Sequence, residues 1–542
     1  MAQKKDIKLL GKAIELIIRH LNCYLPKDVE FILAALNIIL KQSLILDGSL
    51  EKLELCDFQQ KMSKINEKET RRKDDGVYYT PKDVTEYIIL NSYLNYLLQS
   101  TEQVFSVNEC FNKIQTLDKC DIIDAKVFDP TCGTAEFLIS AYEIKLKLLN
   151  VYSDCDVVRV ISSMYGNDIS RESILLSKVR LFFASINTLK DKSIAVDIAN
   201  ILNANFTNED FIIKDNIEEK YDIVVGNPPY VEYRNLQIIP KTKYGNAYAD
   251  VLQNAIASLK PNGVIGFIIP LSFVSTKRME TIRNYTYDNL QKMFTLNFAD
   301  RPDCLFDGVH QKLTIVIGNK GKETCKIYSS SYYHWYSSER NNLLSNCKIY
   351  PVSKTDCYIP KIGNPIEAGI FEKIFSISGK PLSNFIQEQN NSCVYLNMRG
   401  CFWMKAFTFN PGSNEYKSLF CTKEQQSYIF SILNSNLFFL YWTIISDCWH
   451  ITGKDLLNFK VPIENIDFDK FDKIAHKIEQ KLEKTKKYIG SKQTEYEYKH
   501  KECKEEIDEI DDALKDVYNL TTEEITYLKN HKLKYRVSNE KL

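Results

Sequence analysis

One strand that is forced to end constrains this chain most. Tyr221-Asp222-Ile223-Val224-Val225-Gly226 is an apolar, β-branched run that reads as a buried strand, and Asn227-Pro228-Pro229-Tyr230 follows at once. Proline donates no ladder hydrogen bond, so two in succession stop the pairing. The chain must therefore turn out of the sheet at its carboxyl edge, where open α/β sheets place their ligands. Asn227 and Tyr230 arrive there on a stiff backbone. Such a pair suits a planar, amino-bearing group: the amide oxygen and a carbonyl freed by the prolines accept its N–H bonds, and an aromatic face stacks on it. Asn-Pro also opens ordinary turns, so the tetrapeptide alone leaves both readings open.

The rest of the chain supplies the context. From Val77 to about Lys320, strand candidates alternate with helical stretches: 126–129, 165–169, 222–226, 264–270, 294–298 and 314–318. That alternation predicts a mostly parallel sheet with helices on both faces. Residues 1–75 carry apolar positions at helical spacing and end in a charged linker, Glu67 to Gly76. Residues 326–465 are irregular and rich in Tyr, Trp, Ser and Asn. Beyond Phe471, apolar positions at helical spacing predict two helices paired as a hairpin or coiled coil, and Thr521 with Glu524 forms a capping box for one more helix. Four segments are thus expected: 1–75 helical, 76–325 catalytic, 326–465 recognition and 466–542 helical.

Bulk composition excludes little. No stretch of 18 apolar residues suggests a membrane span. The fifteen cysteines include no Cys-x-x-Cys pair, so neither a zinc ribbon nor a disulfide framework is expected. With no signal-like start, the cytoplasm is the expected address. The 70 basic and 70 acidic residues balance, which argues neither for nor against nucleic-acid binding.

A second constellation precedes the first. Val127-Phe128-Asp129-Pro130-Thr131-Cys132-Gly133-Thr134-Ala135-Glu136 is a strand, a small-residue turn and a helix start, a combination that lets backbone N–H groups approach a ligand closely. Gly166-Asn167-Asp168 then ends the next strand on an acid, where Rossmann-like folds place a ribose-binding carboxylate. Asp168 could instead cap the following helix.

Taken in order, these residues resemble the N6-adenine DNA methyltransferases of the gamma order, found in type II, type IIG and type I modification enzymes. Tyr78-Tyr79-Thr80-Pro81 is similar to that family's first motif, Asp129 to Ala135 to its cofactor loop and Asn227 to Tyr230 to its catalytic segment. Gly263 to Pro270 is similar to its next strand. The resemblance implies a Rossmann-like S-adenosylmethionine-dependent methyltransferase domain in the α/β class, followed by a mixed target-recognition domain and a helical pair. It also implies S-adenosyl-L-methionine as cofactor, no metal, double-stranded DNA as partner, and a restriction–modification or related defence setting with a cognate endonuclease acting at the same site.

Carried over by position, Thr80 and Pro81 border the methionine end of the cofactor, and Asp129, Thr131 and Gly133 line it. Asp168 takes the ribose hydroxyls, and Asn205 stands where the family has an Asp reading the cofactor's adenine. Ala135 replaces a common Gly and is expected to be tolerated at negative φ. Asn227, Pro228, Pro229 and Tyr230 would do the chemistry on a flipped-out adenine. Phe306 matches a second aromatic loosely, and Arg234, Lys241, Lys243 and Tyr244 are candidates for phosphate contacts. Arg399, Trp403, Lys405 and His450 are candidate groove contacts, although most aromatics there are expected in the core.

Three alternatives remain: the same chemistry on RNA or on a protein glutamine, a fused nuclease, and a non-catalytic DNA-binding subunit. Residues 1–75 hold no Glu-x-Lys, so no DNA cleavage by this chain is expected.

Overall fold

The computed structural model describes residues 11–43 and 80–537, apart from 14, 18, 22, 236–241, 243, 307, 356, 388–389, 401 and 491–494. The charged linker, Tyr78-Tyr79, Lys241 and Lys243 lie outside the described residues.

A nine-stranded sheet organises the catalytic part in the order β3-β2-β1-β4-β5-β7-β6-β8-β9. Its strands are β1 (Val127–Asp129), β2 (Met164–Asn167), β3 (Phe206–Thr207), β4 (Tyr221–Gly226), β5 (Leu259–Pro270), β6 (Leu290–Phe298), β7 (Leu313–Lys320), β8 (Lys326–Tyr333) and β9 (Ile349–Val352). The first five pair in parallel. The chain works outward from β1 to β3 and then returns to lay β4 on the other side of β1, so the order reverses between those two strands. Such a switch point leaves a crevice at the carboxyl ends, and both motifs of the sequence open into it. The sheet is mostly parallel, as expected, with two reversed strands: β7 inserts antiparallel between β5 and β6, and β9 runs antiparallel to β8.

The helix Lys82–Leu97 is buried through most of its length and packs on β4, β5 and β7. Pro81 stands at its N-cap with φ −58°, the value its ring imposes, and its carbonyl accepts the Val84 and Thr85 N–H groups. This helix start sets Thr80 against the end of β4. The N-terminal helix Pro26–Ser43 packs on Ala195–Asn205 and Arg171–Thr188, next to the β2–β3 side.

β8 corrects the expected boundary at residue 326. Lys-Ile-Tyr-Ser-Ser-Ser-Tyr-Tyr carries no apolar alternation, yet it pairs in parallel with β6 and continues the catalytic sheet. Its polarity is satisfied internally. Thr295 Oγ1 donates to Ser329 Oγ at 3.1 Å, and Asn297 donates from its backbone N to Ser330 Oγ and from Nδ2 to the Ser330 carbonyl, each at 2.9 Å. Buried hydroxyls and amides that bond one another across strands remove the usual cost of polar burial.

The C-terminal half joins a three-stranded sheet, with Ser392–Asn397 between Ala406–Phe407 and Tyr416–Cys421, to a helical layer. Among the described residues no single helix is long and apolar enough to cross a membrane. The apolar pair Gln426–Asn434 and Asn436–Ile445 is bent by 57°, and most of its side chains are fully buried in the core. The expected helical hairpin is Phe468–Thr485 with Lys504–Val517, and it packs on the 426–434 helix rather than standing free. Asp511 holds it there. Its carboxylate accepts the Asn436 backbone N–H at 3.1 Å, the Leu437 N–H at 3.4 Å and Asn436 Nδ2 at 2.5 Å. The tail then turns back: Lys532 donates to the Tyr332 carbonyl of β8, and the Arg536 guanidinium lies 4.0 Å from the Trp403 ring and 4.3 Å from the Phe439 ring.

Candidate active site

β1 and β4 are neighbours, with Phe128 opposite Val224, so Asp129 and Gly226-Asn227 emerge side by side. Asp129 is 2% exposed, and one carboxylate oxygen accepts the Thr131 N–H at 3.1 Å. Burial pushes this carboxyl well above the usual range, and the nearby Asp168 charge adds to the shift. The loop folds around Asp168: the Gly133 N–H donates to one of its oxygens at 2.9 Å and the Ser170 N–H to the other at 2.8 Å. Gly133 sits at φ +55°, where glycine is at ease, and nothing lies within 4 Å of the point a Cβ would occupy. The Thr131 hydroxyl oxygen is buried without a partner.

The second motif is tied to the start of the Lys82–Leu97 helix through Thr80. Asn227 Nδ2 donates to Thr80 Oγ1 at 3.2 Å, which holds the amide nitrogen back and leaves the amide oxygen clear of that contact. The Tyr230 phenol donates to the Ile268 carbonyl of β5 at 3.0 Å, and its ring meets Tyr248 edge to face at 6.5 Å. Burial raises that phenol far above its ordinary value, so it stays protonated and anchored. The ring itself remains partly open.

Gly226 couples the two motifs. A Cβ there would sit 2.9 Å from Asp129 Oδ1 and 3.4 Å from the Phe267 ring. Gly226→Ala is expected to lower stability by about 1–3 kcal/mol, the ordinary cost of overpacking. Because the displaced atom is the Asp129 carboxylate, it is also expected to weaken S-adenosylhomocysteine binding about tenfold. Titration calorimetry beside a urea melt would read both, and unchanged affinity would separate the two motifs.

The structure places three candidates otherwise than expected. Asn205 ends the helix 195–205 and donates from Nδ2 to the Ser162 and Met164 carbonyls, at the amino end of β2. It lies across the sheet from the crevice and cannot read a ligand there. The residues after β3 do reach the carboxyl edge: Asn208 donates to the Asp168 and Ile169 carbonyls at 2.8 and 2.9 Å, and Asp210-Phe211 follows, with Phe211 edge to face on Phe128 at 5.7 Å. An acid–aromatic pair one short strand later was the signal that a two-residue strand concealed. Phe306 is 2% exposed and packed in the core, so it presents no open stacking face. Ala135 has φ +66°, not negative. Arg234 is largely exposed and pairs with Glu232 at 2.9 Å, leaving it on the rim.

The left-handed Ala135 allows a direct test. Relief of about 1–2 kcal/mol of backbone strain is set against about 0.8 kcal/mol for a buried methyl and about 0.5–1 kcal/mol of added chain entropy. Ala135→Gly is therefore expected to leave the urea midpoint nearly unchanged, and a loss above about 2 kcal/mol would contradict the assignment.

The donor set fits a nucleoside bearing an amino acid. Two carboxylates retain lone pairs for hydroxyl and ammonium donors, the Thr131 hydroxyl waits for a partner, and the glycine turn leaves room for close approach. A switch-point crevice with this loop makes the protein α/β with a Rossmann-like core, an arrangement similar to that of S-adenosylmethionine-dependent methyltransferases. Residues 162–301 match the Eco57I restriction-modification methylase family, which makes S-adenosyl-L-methionine the implied cofactor. The match is consistent with the resemblance to DNA methyltransferases of the gamma order.

Relatives agree. The chain is 25% identical over 232 residues to the modification methylase CviBIII of Paramecium bursaria Chlorella virus NC1A, covering 42% of this chain and 45% of that one. It is 23% identical over 235 residues to the type II methyltransferase M.VspI of Vibrio sp. (strain 343), covering 41% and 43%. The matched part thus spans less than half of these relatives. Among solved structures, the type IIL restriction-modification enzyme MmeI in complex with DNA is similar over 98% of both chains, at 13% identity and a TM-score of 0.47.

Proposed function

We propose that this chain is a site-specific DNA methyltransferase that moves a methyl group from S-adenosyl-L-methionine to N6 of an adenine extruded from duplex DNA. The observation that carries the reading is the Asn227–Thr80 hydrogen bond at the switch-point crevice. With its amide nitrogen engaged, Asn227 offers its oxygen, and the Pro228 carbonyl is the second acceptor, since a proline follows it and leaves no N–H to compete.

An exocyclic adenine amine is a poor nucleophile because its lone pair is delocalised into the ring. Two acceptors that take both its N–H bonds favour the pyramidal, nucleophilic form, and they stabilise the positive charge that grows on nitrogen. Pro229 keeps these acceptors rigid. Tyr230 supplies a stacking face for a base that cannot react inside the helix. The cofactor supplies an electrophilic methyl on a sulfonium centre. Thr80 and Pro81 border its methionine end, Asp129, Thr131 and Gly133 line it, and Asp168 takes the ribose hydroxyls. In place of Asn205, Asp210 accepts from the cofactor's adenine amine. Alignment does most of the work in such a displacement.

Arg234 and Lys243 would hold phosphates beside the extruded base, residues 353–465 would carry most of the sequence reading, and a cognate endonuclease at the same site would complete a restriction–modification pair. The test is incubation with duplex DNA of mixed sequence and isotope-labelled methyl donor, digestion to nucleosides and mass spectrometry. Label in N6-methyladenine, confined to one sequence motif by long-read sequencing, is expected. Label in cytosine, in RNA alone or in a protein glutamine would overturn the assignment of the acceptor.

A further inference from the structure

A cavity of roughly 330 Å3 opens at the same edge of the sheet, beyond the strands that carry Asn227. Its floor is formed where β6 and β8 end, at Ala299 to Arg301, Tyr332 and His334; its roof is the 436–445 helix with the loops at 399–402 and 448–449. Three strand spacings of about 4.8 Å separate β4 from β6, so the cavity lies roughly 14 Å along the sheet from Asn227. It is therefore not the transfer pocket. Its size falls at the lower end of ligand sites, about 300–1,000 Å3.

The lining combines two chemistries. Phe402 and Trp449 present the open aromatic faces, with Trp449 half exposed, while Phe439 and Trp442 are packed behind them. Gly400 lets the loop lie directly on Trp442, since a Cβ there would fall 2.0 Å from the indole ring. Three cations, Arg301, Lys312 and Arg399, face a single acid, Asp300. The Lys312 ammonium sits 4.0 Å from the Trp449 ring centre and 3.6 Å from the Asp300 carboxylate. Arg399 pairs with Glu415 at 3.0 Å yet stays 60% exposed. Arg301 is exposed and has no ion pair among the described residues. His334 Nδ1 is buried without a partner. Burial and the neighbouring Lys532, Lys312 and Arg536 charges hold that ring neutral, so it offers one donor and one acceptor.

Aromatic faces take a flat ring, worth about 1–3 kcal/mol per stacked base. The surplus of positive charge takes an anion, and a neutral imidazole bonds a heterocycle's edge. We propose that this cavity is a second nucleotide site, holding one base against Phe402 and Trp449 and its phosphate on Arg301 and Arg399. The occupant is either a nucleotide of bound DNA displaced from the helix or a free mononucleotide. The proposal goes beyond the methyl-transfer reading and does not depend on it.

The test uses the full chain with its cofactor pocket saturated by S-adenosylhomocysteine. Tryptophan fluorescence is titrated with 5′-AMP, 5′-TMP, adenosine and inorganic phosphate. Saturable quenching by a mononucleotide is expected, at least tenfold tighter than by adenosine or phosphate alone. It should be lost at least tenfold in Arg301→Ala/Arg399→Ala, whose surface positions leave folding intact by circular dichroism, and kept in Asn227→Ala. A duplex carrying 2-aminopurine is titrated in parallel. Brightening that survives Asn227→Ala but not the arginine pair identifies DNA as the source, whereas mononucleotide binding without it identifies the free ligand. Neither signal, or signals indifferent to the arginine pair, overturns the proposal. Absence of methylation by the parent chain, with its nucleotide binding intact, would instead count against the transfer reading alone.

Discussion

Asn227→Ala is expected to reduce the turnover of methyl transfer by about 10²–10³-fold while leaving cofactor affinity within about twofold. Removing one preorganised partner of a developing charge costs roughly 2.7–4 kcal/mol in other enzymes. Asn227 is the proposed side-chain acceptor of the pair, and its contact to Thr80 engages the amide nitrogen and leaves the oxygen for that role. Thr80→Val should have a smaller effect, about 5–10-fold, because it removes only the bond that orients the amide, worth about 1 kcal/mol. Asn227→Asp should fall between the two, since a carboxylate still accepts but gives Thr80 no N–H. Single-turnover kinetics with saturating cofactor would rank the three. If Thr80→Val proved as damaging as Asn227→Ala, the threonine would be acting for itself and the proposed division of labour would fail.

The second large effect concerns stability. Asp511→Ala should destabilise the protein by about 3 kcal/mol, because three buried N–H donors at the start of the 436–445 helix lose their acceptor at once. The same residue imparts a pH dependence. Burial raises its carboxyl to about 7, above its unfolded range near 4. Between these values the folded state holds a proton that the unfolded chain has released. Stability from this group is therefore greatest below pH about 4, falls as pH rises to about 7, and is level above that. Urea midpoints at pH 5 and 7.5 would show the decline in the parent and its absence in Asp511→Asn. An equal decline in that variant would move the effect to other groups.

Legibility from sequence followed the strength of local signals. β4, the prolines behind it and the cofactor loop were readable because backbone chemistry forces them: a β-branched run, missing N–H donors and small residues in a turn. β3 and β8 were not. A two-residue strand carries no period, and β8 hides behind serines whose hydroxyls bond to Thr295 and Asn297 on a strand some thirty residues earlier. The same blind spot misassigned Asn205. Without β3 in place, the first Asn-Phe resembled the edge, whereas pairing of Gly166 with Phe206 puts Asp210 there instead. Phe306 matched a second aromatic only loosely, with a core position as the equal alternative, and its burial decides for the core. The φ of Ala135 was equally hidden, since alanine gives no sign of a left-handed bend. The cavity under the 436–445 helix unites residues from 299 to 449, a distance along the chain that no local pattern spans.

The returning tail has a mechanical consequence. Lys532 grips β8 while Arg536 is clamped between Trp403 and Phe439, so a few residues latch the sheet to the C-terminal half as a buckle joins two straps. Clipping the chain ahead of Lys532 is expected to loosen that seam without opening it, because Lys454 Nζ still donates to the Ser275 carbonyl and the Ile359 N–H to the Val274 carbonyl.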